Sequence, residues 1–189
     1  KLRKSSGSIA FGSEFSKKPG YVRALAEGIY LGSYEFNKYK SGDNGGSKLS
    51  EIILSSDGLS EKRLATESGL ASTVGESTNL VRDLVNEPPV YMTPTKLAET
   101  AASIANEGGL KCEIFGPDEI ERRGMRGIQA VTAGSDQEPR FIHLTYEPPK
   151  RASKTVAIVG KGITFDSGGL CIKPADSMRT MKMDMAGAA

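Results

Sequence analysis

The sequence predicts an α/β fold, in which helices pack against a sheet. Apolar residues recur at helical spacing in several segments of the 189-residue chain, and short apolar runs separate these segments. The run TVAIV at residues 155–159 has the continuous β-branched composition typical of a strand covered on both faces. Helices that alternate with such strands are typical of layered α/β domains.

The first half of the chain is predicted to contain two helices and one strand. Residues 1–20 are rich in Lys, Ser and Gly, which favours a solvated end over a basic nucleic-acid arm. Apolar residues at helical spacing predict a helix over residues 21–34, and a short apolar run predicts a strand over residues 51–54. Ser60 is the predicted N-cap of a long helix that ends near residue 85 and connects two structural units.

The run NEPP at residues 86–89 must end the long helix, because proline lacks an amide donor and disfavours helix in the preceding residue. Thr93 and Pro94 are the predicted N-cap and first residue of the next helix, which extends to about residue 106. The glycine pair at 108–109 is expected to end it. Its inner face is predicted to comprise Leu97, Ala101, Ile104 and Ala105.

The rest of the predicted sheet comes from three strands, at residues 111–115, 140–146 and 155–159, with a short helix at residues 117–123 between the first two. In open α/β sheets, ligands bind beyond the carboxyl ends of the strands. Gly160 and Lys161 follow the last predicted strand, so a functional site is expected there.

Composition excludes several classes of function. The chain has 25 Lys plus Arg against 23 Asp plus Glu, a formal net charge of +2, which gives no general reason to expect nucleic acid or an anionic membrane as partner. Cys112 and Cys171 are too far apart for a thiolate zinc motif and fit a reducing compartment. No apolar run reaches the length of a membrane span, and no signal peptide is recognisable. We therefore expect a soluble, cytoplasmic protein.

The segment VGKGITFDSGGLCIKPADSMRTMKMDMAGAA at residues 159–189 lacks the common nucleotide and nucleophile motifs. It has no GxxxxGK[ST], and Phe165 takes the place of the third glycine of GxGxxG, so nucleotide binding is not favoured. The only histidine, His143, lies within a predicted strand, so a histidine-based triad or zinc cluster cannot be assembled from these residues. Cys171 is more typical of a small apolar residue than of a reactive thiol.

The chemistry of this segment rests on Lys161, Asp166, Lys173 and Asp184. Carboxylates are hard ligands suited to Mg²⁺, Mn²⁺ or Zn²⁺, and a lysine binds metal only after losing its proton, which a nearby dication favours. A charged lysine can instead stabilise an oxyanion, and such a pocket supports two-metal hydrolysis. The same residues can equally form ion pairs over a glycine-rich turn, and the residues alone leave both interpretations open.

The stretches GKGITFDSGG, CIKPADSM and MKMDMAGAA closely resemble the metal-binding segment of the leucyl aminopeptidase family, also called cytosol aminopeptidases. NLVRDLVNEPPVYMTPTKLAETA and GMRGIQAVTAGSDQEPRFIHLTYEPP resemble two further blocks of the family, and AEGIYLGSYEFNKYKS resembles the end of its smaller N-terminal domain. The resemblance implies three parts: the C-terminal part of an α/β N-terminal domain at residues 1–61, a connector helix at 62–82, and the first part of an α/β metallopeptidase catalytic domain with a central mixed sheet at 83–189.

The resemblance also implies a role for each candidate residue. Lys161 matches a metal ligand that binds through its neutral amine, Asp166 a carboxylate that bridges both metals, and Asp184 a ligand of the same metal as the lysine. Lys173 matches the catalytic lysine, which helps to hold the tetrahedral gem-diolate. Met181 falls where the family lines the pocket for the first side chain of the substrate, although a core methionine is an equally good interpretation.

The implied activity is release of N-terminal amino acids from peptides, with a leucine-type preference, by water activated at two divalent metal ions. Zn²⁺ or Mn²⁺ is the implied cofactor, with Mg²⁺ as a further candidate and a bicarbonate in the full-length parent. The implied assembly is a homohexamer whose active sites face an interior cavity.

Two departures from the family pattern qualify the resemblance. The second family motif, Asn-Thr-Asp-Ala-Glu-Gly-Arg, is not found in these 189 residues, and Ala186 stands where the family usually has glycine. The expectation is therefore a fragment truncated at both ends and inactive on its own. The alternative is a non-catalytic assembly or binding module that retains the family fold.

Overall fold

The computed structural model describes residues 6–11, 18–42, 51–150 and 152–189. The chain divides into two compact units, Lys1–Asp83 and Leu84–Ala189. Each unit combines helices with a two-stranded sheet, so the predicted α/β class is confirmed.

In the first unit, strand β1 (Ser6–Phe11) pairs in parallel with strand β2 (Glu51–Ser56), with Ser6 opposite Glu51. The helix α1 (Pro19–Gly32) lies between them in sequence. Within the segment predicted to be a solvated end, β1 and the start of α1 are regular structure, and Lys18 and Gly20 are exposed, while residues 1–5 and 12–17 lie outside the described residues. Backbone N–H and C=O groups form the β1–β2 ladder, so a composition rich in Ser and Gly does not prevent it.

The predicted helices of this unit are both present. The long helix α2 (Glu61–Asn86) begins after Ser60, whose Oγ accepts a hydrogen bond from the Arg63 amide at 3.4 Å, as the N-cap prediction requires. Near the end of α1, the Asn79 side chain donates to the Tyr30 carbonyl at 3.1 Å. This contact satisfies a carbonyl that the last turn of α1 leaves without a partner in its own helix.

Close packing between α1 and α2 occurs at Gly75. A Cβ placed on Gly75 would lie 2.6 Å from Cγ of Tyr30, well inside van der Waals contact. Gly69, about 1.7 turns earlier in α2, has no atom within 4 Å of a Cβ placed on it. The two helical glycines therefore differ: packing requires the first, and nothing in the structure requires the second.

In the second unit, helix α3 (Pro94–Gly108) begins and ends as predicted. Thr93 Oγ1 accepts a hydrogen bond from the Lys96 amide at 3.2 Å, and Gly109 ends the helix in the left-handed conformation, with φ of 66°. The predicted inner face is wrong at Ile104, which is 37% exposed. The buried face centres on the small residues of the helix, and Ile104 lies at its margin. The buried residues are Leu97, Ala98, Ala101 and Ala105.

Two of the three strands predicted for this part of the chain are present. Strand β3 (Lys111–Phe115) pairs antiparallel with strand β4 (Phe141–Thr145), and the Phe115 and Phe141 rings stack with their centroids 5.6 Å apart. The helices α4 (Pro117–Arg122) and α5 (Arg126–Thr132) lie between these strands in sequence.

The third predicted strand, at residues 155–159, is not formed. None of the strands in the described part of the chain pairs with this run. Val156, Ile158 and Val159 are 82%, 94% and 93% exposed, the reverse of the predicted burial on both faces. A β-branched run supplies strand propensity, but a strand exists only where a neighbouring backbone completes the ladder.

The core of the second unit fixes the end of the predicted functional segment. Met185 is fully buried and packs in one cluster with Leu84, Met92 and Leu97. The segment before it contains the short helix α6 (Ala175–Met178) and a 3₁₀ turn (Met181–Met183). The predicted site residue Asp184 therefore lies directly before a residue that is buried in the core.

Candidate metal centre

Lys161 and Asp184 form the first half of the candidate site. Lys161 Nζ lies 2.8 Å from Asp184 Oδ2, and the Asp184 side chain is only 17% exposed. Close backbone packing brings these residues together, since a Cβ on Gly160 would lie 2.6 Å from the carbonyl carbon of Gly187. Only glycine permits this approach.

Asp166 and Lys173 form the second half. Lys173 Nζ donates a hydrogen bond to Asp166 Oδ2 at 2.8 Å, and the Gly168 amide donates to Asp166 Oδ1 at 2.9 Å. The Lys173 amide donates to the Ser167 carbonyl at 2.9 Å and closes the intervening loop. Gly168 has φ of 92°, a conformation that favours glycine, so the tight loop depends on that residue.

Met181 lies beside the second pair. Its sulfur is 2.9 Å from Lys173 Nζ, which places the lysine between a carboxylate and a thioether. The side chain is partly exposed, so Met181 is not part of the buried core around Met185.

The two pairs form one electrostatic cluster. The neighbouring Asp184 carboxylate raises the pKa of Lys161 above its ordinary value, and the charge of Asp166 adds to the effect. The Lys173 ammonium lowers the pKa of Asp166, with further contributions from the Gly168 amide and from Lys161. Each pair thus acts on the other, and Asp166 lies where cations favour its ionised form.

The structure contains two ion pairs, Lys161–Asp184 and Lys173–Asp166. Ion pairing was one of the two interpretations that the sequence allowed for these residues. The ligand interpretation uses the same atoms, with one added requirement: Lys161 must lose its proton before its nitrogen can bind a metal, and its raised pKa opposes that loss until a dication is present.

The donor set fits a divalent cation. Asp184 Oδ2 is buried and has no hydrogen-bond partner of acceptable geometry, although Lys161 Nζ is 2.8 Å away. A buried carboxylate oxygen without a hydrogen bond is unusual, and a cation satisfies it. No group of three or more His, Cys, Asp or Glu residues able to hold a metal occurs among the described residues. The candidate set from the sequence, Lys161, Asp166 and Asp184, contains two carboxylates and a lysine.

Two other residues considered from the sequence have no place in this cluster. His143 lies in β4 with Nδ1 3.3 Å from Glu113 Oε2, its cross-strand neighbour, and Cys171 is exposed.

The sequence analysis did not single out Lys182. This residue lies two positions before Asp184, and its Nζ donates to the Asn86 carbonyl at 3.0 Å. The signal that points to such a contact is the pair Pro88 and Pro89. These residues lack the amides that otherwise serve carbonyls at a helix end.

Comparison with known proteins identifies the family. The model for the catalytic domain of the cytosol aminopeptidase family matches residues 79–189. The chain belongs to the cytosol aminopeptidase family. The predicted family resemblance is thereby confirmed, and the lysine–aspartate cluster lies within the matched catalytic domain.

Relatives in this family support the assignment over most of the chain. A protein of Aquifex aeolicus described as "Probable cytosol aminopeptidase" is 42% identical over 168 residues, which cover 88% of this chain and 33% of the relative. The crystal structure of a cytosol aminopeptidase from Coxiella burnetii matches with a TM-score of 0.77 at 28% identity, over 96% of this chain and 36% of that one.

The description of a further structural relative names a metal. The bottromycin maturation enzyme BotP in complex with Mn matches with a TM-score of 0.75 at 35% identity, over 90% of this chain and 34% of that chain. The chain thus spans about a third of the length of the cytosol aminopeptidases and related structures that it matches.

Proposed function

We propose that this chain carries half of the two-metal site of an aminopeptidase that releases N-terminal amino acids from peptides, with a leucine-type preference. Family membership supports the reaction class. The single observation that supports the site is the cluster in which Lys161, Asp166 and Asp184 converge, with a buried Asp184 oxygen that lacks a hydrogen bond.

The residues of the cluster divide into ligands and a catalytic group. Asp166 and Asp184 would hold the metals through carboxylate oxygens, and Lys161 would bind through its neutral amine. Lys173 would stabilise negative charge as it develops on the reacting carbonyl oxygen. Met181, 2.9 Å from Lys173 Nζ, lines the pocket for the first substrate side chain. When bound, the metal ions supply an activated water and polarise the carbonyl.

The cofactor, assembly and location belong to the same proposal. Zn²⁺ or Mn²⁺ is the cofactor, and the description of the BotP complex supports Mn²⁺. The full-length parent is a homohexamer with bicarbonate at its active site, and it acts on peptides in the cytoplasm, as the family's description suggests. No helix in the described ranges is both long and apolar enough to cross a membrane.

The domain organisation is also proposed. Residues 1–61 form the C-terminal part of the N-terminal domain, residues 62–82 a connector helix, and residues 83–189 the first part of the catalytic domain. The division of the chain after Asp83 and the start of the family match at residue 79 support this arrangement.

The 189 residues are expected to be inactive alone. They span about a third of the matched relatives, and the described residues supply at most three of the metal ligands. The purified chain is incubated with leucyl p-nitroanilide and about 1 mM Mn²⁺ or Zn²⁺, which is roughly 1,000 times the Kd of a site of micromolar affinity. We expect no release of nitroaniline above the metal-only control, and robust metal-dependent release contradicts the proposal of inactivity.

Metal binding tests the site itself. Calorimetric titration with Mn²⁺ is compared for wild type, Asp184→Asn and the control Asp57→Asn, which changes an exposed aspartate in the first unit. Asp184→Asn is expected to weaken binding by more than the roughly 10- to 100-fold typical of changes in the groups that orient metal ligands. Equal heats for wild type and Asp184→Asn, or no binding by either, favour the non-catalytic module.

A further inference from the structure

The contact between Lys182 and the end of helix α2 has no role in the function proposed above. Lys182 Nζ donates to the carbonyl of Asn86, the last residue of α2, at 3.0 Å, and the side chain is half-buried. The last carbonyls of a helix lack partners within the helix and carry its negative end, so a lysine ammonium is favourable there.

The sequence after α2 makes an external donor useful. Pro88 and Pro89 have no amide hydrogen, so neither can donate to the final carbonyls of the helix. The next amides point elsewhere, since those of Tyr91 and Met92 donate to the Pro88 carbonyl at 2.9 and 3.0 Å. Lys182 therefore supplies to this helix end a donor that Pro88 and Pro89 cannot.

Lys182 and Met185 bracket Asp184. Met185 is fully buried and packs in the cluster that contains Leu84, in the last turn of α2. Lys182 lies two residues before Asp184 and Met185 one residue after it, and both contact the C-terminal end of α2. The Asp184 amide donates to the Met181 carbonyl at 3.2 Å, so the bracketed segment is itself a closed turn.

The position of Asp184 depends on this bracket because its other contact is weakly constrained. Lys161, which lies 2.8 Å away, is 55% exposed, so its long side chain follows the carboxylate and does not fix it. Without the Lys182 contact, the anchors that remain next to Asp184 are Met185 and the packing of Gly187 against Gly160, and both follow Asp184 in the chain. The side of the turn that precedes Asp184 is then less constrained.

We propose that Lys182 is a positioning residue that fixes the carboxylate of Asp184 through its hydrogen bond to the Asn86 carbonyl. The consequence for metal binding rests on the proposed function of Asp184, but the positioning itself does not.

Zero-length cross-linking with a carbodiimide tests the positioning without metal. The reagent joins an ammonium to a carboxylate at ion-pair distance, and mass spectrometry measures the Lys161–Asp184 and Lys173–Asp166 products in one digest. In Lys182→Met we expect the Lys161–Asp184 product to fall about threefold or more while the Lys173–Asp166 product stays unchanged. Lys182→Arg, which keeps a donor, and Lys62→Met, an exposed lysine of the first unit, are expected to match wild type.

Other results overturn the positioning role. An unchanged Lys161–Asp184 product in Lys182→Met, or its absence in wild type, shows that the lysine does not place the carboxylate. An equal loss of both products, with a loss of helical circular dichroism, assigns Lys182 a general role in folding instead.

Mn²⁺ titration of the same variants separates this proposal from the proposed function. Lys182→Met is expected to bind Mn²⁺ about 10-fold more weakly than wild type, as is typical when a group that orients a ligand is removed. Wild type that gives the cross-link but binds no Mn²⁺ contradicts the metal site and leaves the positioning intact. Wild type and Lys182→Met with equal Mn²⁺ affinity and equal cross-links contradict the positioning alone.

Discussion

Gly168→Ala is expected to destabilise the second unit, because the added methyl group meets backbone atoms at a residue with positive φ. Gly168 has φ of 92°, and its amide holds Asp166 Oδ1 at 2.9 Å. A Cβ at this position would overlap the Cys171 carbonyl oxygen and lie 3.0 Å from the Lys173 amide nitrogen and 3.1 Å from Lys173 Cγ. Two of these contacts are with backbone atoms, so rotation of a side chain cannot relieve them.

The matched control is Gly169→Ala. Gly169 also has a positive φ, 65°, but no atom lies within 4 Å of a Cβ placed on it. Its substitution therefore costs only the backbone strain of a left-handed residue, about 1–2 kcal/mol. Gly168→Ala carries a comparable strain plus a steric term of about 1–3 kcal/mol, the usual cost of overpacking.

Urea unfolding measures the difference between the two variants. With an m-value of about 1–3 kcal/mol/M, a steric term of that size lowers the midpoint of Gly168→Ala by about 1 M relative to Gly169→Ala. The cross-link between Lys173 and Asp166 is expected to fall in Gly168→Ala alone. Equal midpoints for the two variants refute the reasoning, because they differ chiefly in the contacts of the added methyl.

Two further predictions concern the long helix and the acid limit of the site. Gly75→Ala is expected to lower the free energy of unfolding by about 1–3 kcal/mol, because the added methyl group meets Tyr30. Gly69→Ala, whose methyl group lies in open space, is expected to raise it by up to about 1 kcal/mol. Melting temperatures that shift in the same direction in both variants contradict this prediction. The second prediction concerns Asp166, whose pKa is lowered by Lys173. The ion pair therefore stabilises the fold fully at pH values above the ordinary aspartate pKa, which is about 4. This stabilisation is lost as the pH falls through the lowered pKa of Asp166. Urea midpoints between pH 2 and 6 are therefore expected to be less acid-sensitive in Asp166→Asn, and an identical acid dependence in both proteins rules out a contribution from this pair.

Features encoded locally were predictable from the sequence. Thr93, Pro94 and Gly109 delimit α3, because capping and proline geometry depend on neighbours within a few residues. Ser60 likewise marks the start of α2. The candidate site residues also lie within one short segment, so their spacing was visible in the sequence.

Features that depend on distant partners were not predictable. The run at 155–159 has the composition of a buried strand, but its state depends on a partner backbone that composition does not reveal. The pairing of β1 with β2 joins residues 45 positions apart, as in Ser6 opposite Glu51, through backbone groups that every sequence carries. The hydrogen bond from Lys182 to the Asn86 carbonyl was likewise not predictable, because it joins residues 96 positions apart through a backbone group.

The proposed metal site can be tested with a crystal structure of the chain grown with Zn²⁺ and with data collected at the zinc absorption edge. We predict an anomalous peak within about 2.0–2.2 Å of an Asp184 carboxylate oxygen and of Lys161 Nζ, with Asp166 oriented toward the same peak. An absence of anomalous density at these residues, with the Lys161–Asp184 and Lys173–Asp166 ion pairs intact, would contradict it.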